Sequence, residues 1–281
     1  MTPATPRAPR TRTVFISDVH LGFRGCQAEY LRQFLSQLDT EQLVLVGDIV
    51  DLWSLKRSMY WPSAHQEVMR RILRIAREGT RVIYVPGNHD EALCEFCGHQ
   101  VAGIEIRRDF IHETADGKRY LVLHGDDFDA AVTVSGWLKH VGEWMYDVLL
   151  WLGRLVQSAR RRCGFGYWSL ATWIKEQVPD ALRCIERFEH AAAHAALRHG
   201  LDGVICGHIH RPGIRDVDGV RYCNDGDWVE HCTALVEDRS GRLGLVYFAS
   251  EARLIGFAGQ PVVPLPAAVM GHRGVRHRAG R

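Results

Sequence analysis

Five short aliphatic runs in this chain each lead into a tight turn carrying side chains that bind metal ions, and this recurrence restricts the fold more than any other feature. Val14-Phe15-Ile16 precedes Ser17-Asp18-Val19-His20, Leu43 to Val46 precedes Gly47-Asp48, and Val82 to Pro86 precedes Gly87-Asn88-His89-Asp90. Further on, Tyr120 to Leu123 leads into His124-Gly125-Asp126, and Val204-Ile205-Cys206 into Gly207-His208-Ile209-His210. Short β-branched or aliphatic runs closed by turn residues read as buried strands. Two segments of helical period lie between the first three. Tyr30, Leu31, Phe34, Leu35 and Leu38 share a face over about Cys26 to Leu38, and a helix near Ala64 to Arg77 stops at Gly79. The β-α-β-α-β order predicts parallel strands with right-handed crossovers, and ligands in such sheets gather beyond the carboxyl ends of the strands. The polar clusters lie there.

Hairpins take over later. Phe110 to Glu113 and Arg119 to Leu123 flank Asp116-Gly117, Ile214 to Val217 and Val220 to Cys223 flank Asp218-Gly219, and Thr233 to Glu237 and Leu243 to Phe248 flank Arg239-Ser240-Gly241. Parallel units followed by hairpins predict two sheets packed face to face with helices outside, over residues 13–250. Residues 1–12, with Pro, Thr and Arg and no apolar core, read as a disordered start, and 251–281 as a C-terminal tail. Between them, residues 129–200 read as a helical insertion. Trp137, Val141, Trp144, Val148, Trp151 and Leu155 fall on one helix face, with Arg160 to Arg162 behind them. That stripe either packs on the protein's own core or, with tryptophans beside arginines, forms a lid or a peripheral membrane contact through a 137–162 helix.

Composition narrows the function classes. A chain of 281 residues with a net charge of +2 can bury a full core and shows no extended basic stripe, so a nucleic-acid partner is not expected. No apolar run reaches the length of a membrane span. Eight cysteines in a chain this large do not form a disulfide framework, and Cys94-x-x-Cys97 has no second pair to complete a zinc site. A reducing, cytoplasmic setting is expected.

Fifteen histidines are many, and several stand where ligands are wanted. Asp18, His20, Asp48, Asn88, His124, His208 and His210 offer two carboxylates, an amide oxygen and four imidazoles. A mixed N/O set of seven suits two borderline divalent ions, Mn²⁺ first, with Fe²⁺ or Zn²⁺ as alternatives. One strand-end histidine would be structural in most proteins; seven such residues, each directly after an expected strand, are not.

This series resembles the signature of the calcineurin-like metallophosphoesterases from roughly Thr13 to Phe248. The resemblance implies an α/β/β/α two-sheet sandwich with a di-metal site. It implies that Asp18, His20 and His210 hold one ion, that Asn88, His124 and His208 hold the other, and that Asp48 bridges them. His89 takes the position of the proton donor or transition-state stabiliser, and Asp90 is expected to orient it.

Within the superfamily, Gly47-Asp48-Ile49-Val50-Asp51-Leu52-Trp53, His124-Gly125-Asp126 and the helical insertion with Ser169-Leu170-Ala171 are similar to the bacterial UDP-2,3-diacylglucosamine hydrolases of lipid A synthesis. That similarity implies cleavage of a diphosphate by a metal-bridging hydroxide, a nucleotide-sugar or lipid-linked substrate, and a place on the cytoplasmic face of the inner membrane. His89 stands where well-studied members of that branch carry Arg, and Trp168 where they carry Lys. A phosphodiesterase or phosphatase paralogue acting on another nucleotide or lipid phosphoester is the alternative enzyme. A non-catalytic scaffold on the same fold is the alternative class.

Overall fold

The computed structural model describes residues 11–131, 179–248, 253–255 and 263–264, so the expected 137–162 helix and Trp168 lie outside the described residues. The first half alternates as expected: β1 (Thr11–Ile16), α1 (Ala28–Gln37), β2 (Thr40–Val46), α2 (Leu52–Arg57), α3 (Ser63–Arg77) and β3 (Arg81–Val85). Short strands β4 (Gln100–Val101) and β5 (Ile104–Ile106) follow a 3₁₀ turn over Glu91–Phe96. Then come β6 (Phe110–Glu113), β7 (Arg119–Val122), a second 3₁₀ turn over Asp126–Ala131, α4 (Pro179–Arg198) and β8 (Gly203–Cys206). The chain continues with β9 (Gly213–Val217), β10 (Val220–Asn224), β11 (Thr233–Glu237), β12 (Leu243–Tyr247), β13 (Arg253–Ile255) and β14 (Val263–Pro264).

The strands form two sheets, ordered β14-β13-β12-β11-β1-β2-β3-β5-β4 and β6-β7-β8-β10-β9. In the larger, β1, β2, β3 and β5 are parallel, and β11 lies antiparallel beside β1. In the smaller, β7, β8 and β10 are parallel, with β6 and β9 antiparallel at the edges. The expected hairpins form, but they do not make a sheet of their own: β11–β12 joins the first sheet and the other two frame the second. β13 and β14 fall within the segment read as a tail and pair it to β12.

Strand alternation builds the layers. On β1, Val14 and Ile16 face α1 and α3, where they meet Leu31, Leu35, Val68 and Ile72. Phe15 faces the other way and packs between the sheets with Val44, Ile83, Tyr120, Val122 and Ile205. Side chains at alternate strand positions point to opposite faces, so one run supplies two cores. On the far side, α4 lays Phe188, Ala192 and Ala196 on Val204, Cys206 and Tyr222. The order is helix, sheet, sheet, helix. Removing one of these buried leucines, as in Leu35→Ala, costs about 2–5 kcal/mol.

Glu237 clamps the two sheets away from the polar end. From β11 its carboxylate accepts from Arg12 Nη1 at 2.5 Å and the Ala115 amide at 2.9 Å, and it lies 2.8 Å from His112 Nε2 on β6. Burial alone would raise this carboxyl, but His112, Thr13 and Arg12 outweigh it and hold it below its ordinary value. A depressed carboxyl stabilises the fold above its unfolded pKa of about 4.3, and that contribution is lost as pH falls through the folded value. Glu237→Gln is expected to cost about 1.5–3 kcal/mol at neutral pH. The gap from wild type should close in acid, as measured by urea unfolding across pH; a gap that stays constant with pH would remove the charge from this account.

Candidate metal centre

The five expected motifs converge. The loops after β1 and β2 continue the strand ladder, with Asp18 N donating to Gly47 O at 3.1 Å and His20 N to Asp48 O at 2.8 Å. Gly207 N reaches His124 O at 3.1 Å, which joins the loops of the smaller sheet to each other. The backbone then turns abruptly: Asp18, His20, Asp48, His208 and His210 all have φ between 49° and 67°. Asp and His tolerate this left-handed region better than most residues, yet each such position still costs roughly 1–3 kcal/mol and persists only where its surroundings impose it.

Glycines let the loops close. A Cβ on Gly47 would lie 2.2 Å from His124 Nδ1, and one on Gly87 would lie 2.4 Å from Asp48 Oδ1. Any larger residue would push the ligand-type side chains apart.

Among the described residues, ligand-type side chains gather in three groups, one of them His20, Asp51 and His89. Asp18, His20 and His210 offer ligand atoms within 4.8 Å of one another, and Asp48, His124 and His208 do the same. Asp48 Oδ2 lies 3.7 Å from His20 Nε2 and 3.5 Å from His124 Nε2, so it faces both. Its other oxygen accepts from the His89 amide at 2.8 Å. His124 Nδ1 sits 2.9 Å from Val46 O, which leaves Nε2 turned inward. Asp18 Oδ2 takes the Ser17 hydroxyl at 2.5 Å and the His208 amide at 2.9 Å.

Among the described residues, the buried atoms without a hydrogen-bond partner include Asp18 Oδ1, His20 Nε2, Asn88 Oδ1 and His124 Nε2. Buried polar atoms are nearly always paired, so orphans from three different motifs call for a missing partner. Their chemistry, carboxylate, amide oxygen and imidazole nitrogen, fits divalent cations. The charges agree. Burial would raise Asp18 and Asp48, but the surrounding imidazoles hold both carboxyls well below their ordinary values. Burial would lower His20 and His124, yet the same carboxylates push His20 up to about 10 and His124 well above its ordinary value.

One sequence expectation is corrected. Asp90 does not orient His89. Its carboxylate accepts from the amides of Gly87 at 2.6 Å, Ile49 at 2.8 Å and Val50 at 3.2 Å, and from the Tyr84 hydroxyl at 2.5 Å. The carboxylate beside His89 is Asp51, whose Oδ1 lies 3.0 Å from His89 Nδ1 while Oδ2 lies 3.4 Å from His20 Nδ1. Burial opposes the charge on Asp51, but these two imidazoles hold its carboxyl far below the usual range. Asp51 also caps α2 by accepting from Ser54 N at 2.7 Å. An Asp before a helix is read as a cap, and that hid its second duty.

Several supporting groups had no role assigned from the sequence. Asp129 Oδ1 lies 2.8 Å from His208 Nε2. Ser17 links Asp18 to Asp225, and Glu230 lies 4.0 Å from His210. Trp53 lays its ring 4.3 Å from that of His89. A cavity of about 590 Å³ opens beside Gly87 and His124, with Arg108 and Arg198 among its walls and Leu121 and Leu123 on its apolar side.

Comparisons with known proteins give the following likenesses. A family model described as Calcineurin-like phosphoesterase matches residues 11–212. A UDP-2,3-diacylglucosamine hydrolase of Azotobacter vinelandii is 27% identical over 239 residues, covering 82% of this chain and 95% of that protein. The protein of the same name from Pseudomonas paraeruginosa is 29% identical over 81% of this chain and 95% of its own. Among solved structures, the phosphoesterase Yfce of E. coli aligns over 90% of this chain and 98% of that chain, with 14% identity and a TM-score of 0.46.

The orphaned atoms yield a direct test. Divalent metal at 100 times its dissociation constant should stabilise the chain by about 2.7 kcal/mol, read as a rise in Tm. Asn88→Ala should fold normally, because Asn88 Oδ1 bonds to nothing in the protein. The variant should nevertheless lose most of the metal-induced rise; a full rise would separate Asn88 from the centre.

Proposed function

Because this chain belongs to the calcineurin-like phosphoesterase family of metal-dependent hydrolases, we propose that its site cleaves the diphosphate of UDP-2,3-diacylglucosamine or a close lipid-linked relative, releasing UMP. The observation that supports this reading best is Asp48 Oδ2 facing two separate groups of ligand-type atoms. Asp18, His20 and His210 would hold one divalent ion, Asn88, His124 and His208 the other, and Asp48 both. Mn²⁺ suits the mixed donor set, with Fe²⁺ or Zn²⁺ as alternatives. When bound, such a pair supplies an activated water and positive charge for the phosphoryl oxygens.

The rest of the chemistry belongs to the chain. Asp51 Oδ1 lies 3.0 Å from His89 Nδ1, which leaves Nε2, 3.9 Å from Asp48 Oδ2, as the nitrogen that faces the reacting centre. A proton held there would neutralise the departing phosphate oxygen. Asp48 is kept in place by the His89 amide, so the shared ligand and the acid move together. Arg108 and Arg198 in the cavity wall offer charge to a diphosphate, and its volume lies within the usual range for a ligand pocket.

The substrate is supported by the names of the relatives. A place on the inner membrane follows from that substrate. Among the described residues, no helix is long and apolar enough to cross a membrane. A second reading, a phosphodiesterase or phosphatase acting on another nucleotide or lipid ester, is favoured by His89 itself, because the resembled branch carries Arg there. A non-catalytic scaffold is disfavoured, since every ligand position and His89 are filled.

Three measurements test this. Mn²⁺-supplemented enzyme should release UMP rapidly from UDP-2,3-diacylglucosamine; turnover of bis(p-nitrophenyl) phosphate alone would retain the hydrolase and reject the substrate. Asp48→Ala should abolish turnover and lower the bound metal seen by elemental analysis, and unchanged metal content would sink the shared-ligand role. His89→Ala should keep its metal while slowing turnover about 10²–10⁴-fold, and an unchanged rate would dismiss the acid.

A further inference from the structure

We propose that the corner between α2 and α3 is a docking surface for an anionic lipid bilayer. In the nine residues from Trp53 to Trp61, three large apolar side chains face water: Trp53 is 47% exposed, Met59 81% and Trp61 38%. Lone exposed apolar residues are ordinary, but three in one short stretch are not. The backbone holds them out. α2 is capped by Asp51 at its start, and Ser58 N closes on Ser54 O at its end. The chain then runs extended through Ser58 and reaches Pro62, which opens α3. Leu55 points inward against Gly22, and Tyr60 and Trp61 rest edge-on against the buried His65, so the corner is anchored while Met59 stands out.

The charge on this corner is of one sign. Lys56 and Arg57 occupy the last turn of α2, and no acidic residue lies between Trp53 and Trp61. The Arg24 guanidinium sits 4.4 Å over the Tyr60 ring, adding a cation to the same surface. Tryptophan and tyrosine settle at the headgroup level of a bilayer, while lysine and arginine reach lipid phosphates.

Other occupants fit less well. Nucleic acid would use the basic and aromatic groups but gains nothing from Met59, the most exposed of the three. A second copy of the chain would bring Lys56 and Arg57 against themselves. Residues 132–178 of this chain carry more Lys and Arg than Asp and Glu, so they share the sign of the patch. An anionic bilayer accepts all the elements at once.

The location adds a purpose that rests on the lipid-linked substrate reading. Trp53 touches His89, so the corner leads from a membrane straight to the reacting centre. The binding itself does not depend on that reading.

The experiment is co-sedimentation of the full chain with phosphatidylcholine vesicles, with and without phosphatidylglycerol. Binding should require the anionic lipid and weaken with salt. Met59→Ser/Trp61→Ser and Lys56→Glu/Arg57→Glu should each lower it about tenfold or more, with bis(p-nitrophenyl) phosphate turnover unchanged as proof of an intact site. Failure of wild type to bind anionic vesicles would overturn the proposal. Wild-type affinity in both double variants would do the same, by moving the contact elsewhere on the chain. Vesicle binding without UMP release from the lipid substrate would reject only the substrate reading and leave this surface in place.

Discussion

The imidazole of His20 lies against three buried carboxylates, those of Asp18, Asp48 and Asp51, at 3.8, 3.7 and 3.4 Å, and the rest of the site exists to keep that crowd charged. Out of water, carboxylates this close would repel one another and take up protons. Imidazoles from other loops prevent that, His124 beside Asp48, His210 beside Asp18 and His89 beside Asp51. Each pairing fixes where its loop must end. The left-handed turns at Asp18, His20, Asp48 and His210 are the steric consequence, a local strain accepted so that opposite charges meet.

Such strain needs a stiff frame. The sandwich provides one because each inner strand is apolar on both faces, so β1, β2 and β3 are fixed between α1 and α3 on one side and the smaller sheet on the other. The smaller sheet is fixed in turn by α4, whose alanines allow helix and sheet to approach closely. At the carboxyl ends of the strands the loops add Val19, Leu21 and Ile49 to the core beneath α1 and α3, while their polar residues face the other way, round the site. Those ends are free to carry charge, and the Glu237 clamp secures the two sheets at a distance from them.

Much of this was legible in the sequence, for a physical reason. A buried strand leaves an apolar run, and a ligand-bearing turn leaves Gly beside Asp, Asn or His, so both the layers and the seven ligand-type positions can be read in one dimension. Partnership cannot. Asp90 follows His89 in the chain and was expected beside it, whereas Asp51, from another loop, lies there in space. Asp129, Ser17 and Glu230 were hidden likewise, since a lone polar residue looks the same whether it faces water or a ligand. The hairpin turns were legible, but not which sheet each hairpin would join. β11 pairs with β1 rather than with the other hairpins, and only three-dimensional register decides that.

Asp90 now has a different meaning. By accepting the amides of Ile49, Val50 and Gly87 and the hydroxyl of Tyr84, one carboxylate stitches the loop after β2 to the turn after β3. The two segments therefore form one mechanical piece: neither can open unless the other lets go. In hydrogen–deuterium exchange their amides would behave as a single cooperative block rather than as two separately fraying loops.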